Sequence, residues 1–192
     1  MNIWPFKKKE PAATTQLNLS SVGFLPFTNS GCIANSFDCG QEPLNKFIKG
    51  KAKRSQARAE FRTVVAQFDG QRECLGYYAL QVGSDPVPET RKHKKSYVGG
   101  YSSFPAVNRS YLAVDRKYQG QGLGTLLLQD VFVRVAAMAE HVGFYALTVQ
   151  AIDKQTGTFY SNLGFEEYVE GSQPKLLYPL QDILKLIEED IE

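Results

Sequence analysis

The sequence of 192 residues predicts an α/β (α+β) fold: a mixed central sheet flanked by helices. Two observations carry this. The segments "SYLAVD", "GLGTLLLQDVFVRVAAMAEHVG" and "FYALTVQAI" read as strand, helix and strand, an order that implies a right-handed crossover between parallel or near-parallel strands. Upstream, "RTVVAQF" and "CLGYYALQVG" are β-rich runs separated by "DGQRE", whose Asp-Gly pair signals an antiparallel hairpin. At 43% hydrophobic content the chain can bury one substantial core, so residues 21–192 read as a single domain.

Residues 1–20 offer Pro, Ala, Thr and Lys with little to bury, and read as a flexible tail. "VGFLPF" is an opening strand, and Asp38 in "SFDCGQEPLNKFI" caps a following turn. Leu44, Phe47, Ile48 and Ala52 then recur at helical spacing, and the helix expected over Lys46 to Arg62 carries seven Lys and Arg against a single Glu60. After the hairpin, Ser84 to Asn108 is rich in Pro, Gly, Ser and Lys, includes "RKHKK", and reads as a long loop or lid-like insertion. The long helix is striped by Leu123, Leu127, Val131, Val135, Met138 and Val142, with Gly143 at the place of a left-handed C-cap. "DKQTGTFYSNLG" is a short helix ending at Gly164, "FEEYV" and "KLLYPL" are strands, and Leu180 to Glu192 is a terminal amphipathic helix.

Composition excludes several classes. Cys32, Cys39 and Cys74 cannot all pair and have no Cys or His neighbours at metal-site spacing, so no metal site is expected and a reduced, cytoplasmic setting is. The first residues lack the apolar run of a signal peptide, and no stretch has the length of a membrane span. A net charge of +2 makes any nucleic-acid affinity depend on where basic residues cluster.

Glycines between a strand and a helix N-terminus point to backbone N–H groups converging on an anion. In "DRKYQGQGLGTLLLQ" the dinucleotide pattern fails, because counting from Gly120 and Gly122 its third glycine falls on Thr125. The Walker pattern fails for want of a lysine. What remains, Gln119-Gly120-Gln121-Gly122-Leu123-Gly124, is the Q/R-x-x-G-x-G/A pattern of the GNAT N-acetyltransferases, and "YLAVD" before it and "ALTVQAID" and "TFYSNLGF" after it stand in that family's order and spacing.

The chain thus resembles the GNAT family, which implies a sheet whose parallel strands splay around pantetheine. The resemblance assigns the pyrophosphate of acetyl-CoA to the amides of Gln119, Gly120, Gln121, Gly122, Leu123, Gly124 and Thr125. It gives backbone groups of the Leu112-Ala113-Val114 strand to the cofactor, with the Val114 N–H beside the acetyl carbonyl, where it would stabilise an oxyanion. It makes Tyr160 the general acid for the departing thiolate and gives Asn162 a cofactor contact. No general base is legible: His93 lies in the loop charge run, and His141 reads as a helix-end residue. An α-amino group with a pKa near ~7.7 is largely able to react without one.

Within the family the chain looks like the acetyltransferase toxins of type II toxin-antitoxin systems, from about residue 20 to residue 182. That branch implies acetylation of the α-amino group of aminoacyl-tRNA, blocked translation, a ribbon-helix-helix antitoxin and a homodimer. Independently, Lys46, Lys49, Lys51, Lys53, Arg54, Arg58 and Arg62, with Arg91 and Lys92 in the loop, favour an anionic macromolecule. The alternatives are acetylation of a protein N-terminus, lysine or small amine, and a silent module binding coenzyme A or an antitoxin. The 84–108 loop departs from the pattern of that branch, and the N-terminal tail lies outside the likeness.

Overall fold

The computed structural model describes residues 17–87 and 102–191. Seven strands, β1 (Val22–Pro26), β2 (Arg62–Phe68), β3 (Gly76–Pro86), β4 (Ser103–Val114), β5 (Ala146–Gln150), β6 (Glu166–Val169) and β7 (Lys175–Pro179), form one sheet in the order β1-β2-β3-β4-β5-β7-β6. The helices are α1 (Glu42–Lys46), α2 (Ala52–Ala57), α3 (Leu123–Ala139), α4 (Lys154–Asn162) and α5 (Leu180–Ile191). The predicted hairpin is antiparallel, Arg62 facing Leu80, and β4 pairs parallel with β5 across the α3 crossover. No helix among the described residues is long and apolar enough to cross a membrane.

The chain divides into two compact units. The first comprises residues 17–81 and Ser110–Val131. Its core joins Phe37, Phe47, Ile48, Ala52, Val65, Tyr77 and Ala113. Phe47 stacks on Tyr111 with ring centroids 3.9 Å apart and the Tyr77 hydroxyl donates to Leu44 O at 2.8 Å, so α1 and the turn after it are fastened to the sheet by their apolar side. The expected single helix over Lys46 to Arg62 is corrected: α1 passes through a π-helical turn, Phe47–Lys51, into α2 and stops at Ala57. Arg62 instead opens β2, whose central residues are buried.

The second unit holds Val82–Val87, Ser102–Arg109 and Phe132–Ile191. Phe104, Ala106, Ala146, Tyr168 and Leu177 form one cluster, while Phe132, Phe165 and Tyr178 meet edge to face or tilted, at 4.8–6.1 Å. Asp85 is buried here and ion-paired to Lys175 at 2.9 Å, with the Thr148 hydroxyl donating to its other oxygen. The two ends of the predicted 84–108 loop are strand, since β3 runs to Pro86 and β4 starts at Ser103, while 88–101 lie outside the described residues. Arg91, Lys92 and His93 lie outside the described residues, as does the tail through residue 16.

Two further expectations are corrected. α3 stops at Ala139, so His141 and Val142 fall in the turn beyond it, with Val142 exposed, and Gly143 does not adopt a left-handed φ. The left-handed glycine at a helix end is Gly164, just after α4.

Gly76 sets how closely β3 approaches the end of β4. A Cβ there would stand 2.9 Å from the Ala113 carbonyl oxygen and 3.0 Å from Leu127 Cδ1. The carbonyl belongs to a strand and cannot swing aside, so Gly76→Ala is expected to destabilise the protein by about 1–3 kcal/mol in chemical denaturation. Gly143→Ala, with nothing within 4 Å, serves as the control and should be neutral or slightly stabilising.

Candidate active site

The end of β4 delivers the chain into the glycine turn, and one carboxylate holds that junction. Asp115, 3% exposed, accepts the Asp38 N–H at 2.9 Å through Oδ2 and the Lys117 N–H at 3.0 Å through Oδ1. The second bond caps a 3-10 turn, Arg116–Tyr118. The backbone is tied as well: Asp115 N donates to Leu75 O, and Arg116 N to Asp38 O, each at 2.9 Å. Sequence reasoning missed this residue, although an Asp directly after an apolar strand and before a turn is a capping signal.

Asp38 caps its own turn as expected, accepting from Gly40 N at 2.9 Å and from Asn45 Nδ2 at 2.8 Å. Those two bonds, with Arg116 at 3.2 Å, hold its carboxyl below its ordinary pKa near 3.8. The loop "FDCG" is thereby pinned to the start of α1 and to the glycine turn.

Within the turn, Gly120 and Gly122 have φ of 73° and 87°, a region other residues enter at a cost. A Cβ at Gly120 would meet nothing within 4 Å, and one at Gly124 would make only ordinary contact with Val114 Cγ2 at 3.9 Å. Packing against protein therefore does not explain glycine at either position. Leu123, Gly124 and Thr125 open α3, and their N–H groups precede any possible intrahelical acceptor. The side chains of the two glutamines are otherwise committed. Gln119 Nε2 donates to Val114 O at 2.9 Å and Cys39 O at 3.0 Å, while Gln121 accepts from Leu17 N and donates to Lys117 O. What the turn can offer a ligand is main chain.

Leu112, Ala113 and Val114 lie in the stretch of β4 beyond the parallel ladder, which covers Ala106–Arg109 against Ala146–Val149. In the second unit Asp153 caps α4 by accepting from Thr156 N at 2.7 Å. Tyr160, in the last turn of that helix, is 2% exposed, whereas Asn162 is exposed. The Tyr160 ring meets Phe159 and Phe165 edge to face, at 5.1 and 5.4 Å, and Arg109 places its guanidinium carbon 4.6 Å from the ring centre. Burial pushes the phenol's pKa up, and the charge of Arg109 pulls it part of the way back.

An acetyltransferase (GNAT) domain model matches residues 60–167. The chain belongs to the GNAT family. A tRNA-acetylating toxin of Mycobacterium tuberculosis (strain ATCC 25618 / H37Rv) is 33% identical over 135 residues, 68% of this chain and 76% of that protein. A probable toxin TacT of Sinorhizobium fredii (strain NBRC 101917 / NGR234) is 25% identical over 138 residues, with the same coverage. Among solved structures, AtaT complexed with acetyl-methionyl-tRNA superposes with a TM-score of 0.77 at 28% identity, covering 86% of this chain and 99% of that one. As a GNAT protein the chain is an N-acetyltransferase, and the predicted mixed sheet with flanking helices is the fold it adopts.

The basic residues of this GNAT chain occupy the solvent side of α1, the π turn and α2. Lys46, Lys49, Lys51, Lys53, Arg54 and Arg58 are all exposed, while Phe47, Ile48, Ala52 and Ser55 are buried beneath them. Lys46 pairs with Glu42 at 3.3 Å and Arg58 with Glu60 at 3.7 Å. A cavity of about 240 Å³ is lined by Lys51, Arg54, Ser55, Arg58 and Glu60.

Asp115→Ala removes the acceptor of two backbone N–H groups, and is expected to cost about 1–3 kcal/mol for each donor left buried, read as a lowered denaturation midpoint. Because Asp38 is held below 3.8, its contribution is complete above that value and is lost as pH falls through the lower, folded value. Amide exchange at Gly40, measured relative to the unstructured rate at each pH, should therefore lose protection only below about pH 4.

Proposed function

We propose that this chain transfers the acetyl group of acetyl-CoA to the α-amino group of aminoacyl-tRNA, and so acts in the cytoplasm as a translation-inhibiting toxin. The observation that carries the acceptor is the exposed basic face of α1 and α2, with its cavity between Lys51, Arg54 and Arg58. A face of that charge suits a phosphate backbone, whereas a small polyamine would ask for carboxylates. The names of the relatives support the same acceptor, since they acetylate tRNA or are solved with acetylated tRNA.

Acetyl-CoA supplies an activated thioester. The turn fits its pyrophosphate, because Gly120 and Gly124 leave room that no protein atom requires and the first N–H groups of α3 are unpaired within the helix. In this reading Gln119 to Thr125 bind through backbone and not through the glutamine side chains, and Leu112 to Val114 align the pantetheine arm. The Val114 N–H polarises the acetyl carbonyl. Tyr160 gives its proton to the departing sulfur, and Asn162 assists in holding the coenzyme. The α-amino group, with a pKa of ~7.7, loses its proton to water. We read residues 21–192 as one acetyltransferase domain, with a second copy of the chain and a ribbon-helix-helix antitoxin as protein partners.

Labelled acetyl-CoA incubated with charged tRNA should yield N-acetyl-aminoacyl-tRNA, and transfer to small amines or peptide N-termini alone would overturn the assignment. Tyr160→Phe is expected to lower kcat by about 10²–10⁴-fold with KM for acetyl-CoA little changed. The pair Lys51→Glu and Arg54→Glu should instead raise KM for tRNA and flatten its salt dependence, leaving acetyl-CoA binding intact.

A further inference from the structure

We propose that Arg109 is the positioning residue for Tyr160: its guanidinium fixes the plane of the phenol ring and offsets the negative charge that grows on the phenol oxygen as the proton leaves. The inference rests on the reading of Tyr160 as the general acid, and extends it to a residue outside the family's motifs.

Arg109 is a cation in an unusual place. It is 5% exposed, at the last pair of the parallel ladder, opposite Val149. Burying a charge is costly unless it gains a compensating interaction. Here the guanidinium carbon stands 4.6 Å from the centre of the Tyr160 ring, within the range of a cation–π contact. Phe159 and Phe165 press the ring edge to face, and Gly157, one turn back on α4, lets Pro174 approach closely. The buried ring thus meets two aromatic rings and one cation. Among the described residues, Arg109 is the only charged group acting on the Tyr160 hydroxyl, and the two neighbouring rings bring none.

The reaction gives that charge a task. When the carbon–sulfur bond of the thioester breaks, the sulfur keeps the electron pair. The O–H bond of Tyr160 then breaks, an S–H bond forms, and the phenol oxygen keeps its pair until water returns a proton. A free phenol has a pKa near ~10 and a thiol near ~8.5, so the transfer runs uphill even in water. Burial of Tyr160 steepens it, by disfavouring the phenolate, and the positive charge of Arg109 works against that penalty. An apolar side chain at position 109 would hold the ring and leave the penalty whole. Lysine would restore charge without the planar group.

The test is a cycle of Arg109→Met and Arg109→Lys, each alone and combined with Tyr160→Phe. Arg109→Met is expected to lower kcat by about 10–100-fold with KM for acetyl-CoA nearly unchanged, and Arg109→Lys to recover part of the loss. The acid must be protonated, so activity falls as pH rises through the Tyr160 pKa, and Arg109→Met should move this basic limb upward by about one unit or more. On the Tyr160→Phe background the Arg109 substitutions should have almost no further effect on kcat. A full loss on that background, or an unmoved basic limb, overturns the proposal. A fluorinated tyrosine at position 160, titrated by fluorine NMR without substrate, reads the same coupling independently of catalysis. Its midpoint should rise in both Arg109 variants, less in Arg109→Lys, and an unchanged midpoint overturns the proposal even if Arg109→Met fails to fold and only Arg109→Lys can be measured. Should Tyr160→Phe be as active as the parent, the reading of Tyr160 as acid fails, and the midpoint still decides whether Arg109 acts on it.

Discussion

The geometry of the first unit depends on the buried carboxylate of Asp115. β4 ends at Val114 and the chain enters a 3-10 turn at Arg116. Asp115 stops the strand by capping the next turn and, through its other oxygen, draws in the backbone of Asp38. Asp38 in turn orders Gly40 and Asn45, and through them the start of α1. The Gln119 side chain closes the circuit by bonding carbonyls on both sides, Val114 and Cys39. The bonds to Asp38 and Cys39 join segments far apart in the chain, so the glycine turn is held by long-range contacts as well as by local ones. Glycine supplies the left-handed φ values, but it cannot supply rigidity.

This explains which parts are legible in the sequence. The turn, the hairpin, α4 and the parallel crossover are local or periodic features, and each has its signal within a few residues. The lengths of β3 and β4 are hidden because "SDP" and "SFPAVNRS" carry Pro, Asn, Arg and Ser, types that a local reading assigns to loops. Their polar members are accommodated by tertiary partners instead, Asp85 by Lys175 and Thr148, and Arg109 by the Tyr160 ring. Gly143 misleads for the opposite reason: it has the right neighbours for a cap, but α3 ends four residues earlier.

The residues of the motif differ in what their side chains do. Gln119 and Gln121 belong to the Q/R-x-x-G-x-G/A pattern, yet their side chains bind the protein itself. Conversely, Asp115 and Arg109 lie outside the pattern, although each acts on a residue or turn that the pattern marks. Motifs name positions close together in the chain. Side chains that hold those positions in place are scattered by sequence and gathered only by the fold.

The basic face shows how one short segment serves two solvents. In an unbroken α-helix from Glu42 to Ala57, at about 100° per residue, Lys51 would fall in the middle of the arc that Leu44, Phe47, Ile48 and Ser55 cover. The π turn at Phe47–Lys51 widens one turn in the middle. With it, Phe47, Ile48, Ala52 and Ser55 all face inward, so every Lys and Arg from Lys46 to Arg58 is left outside. Core packing and charge presentation are thus settled by the same local change in helical pitch. The aromatic stack of Phe47 on Tyr111 then ties this charged surface to β4, the strand that ends just before Asp115.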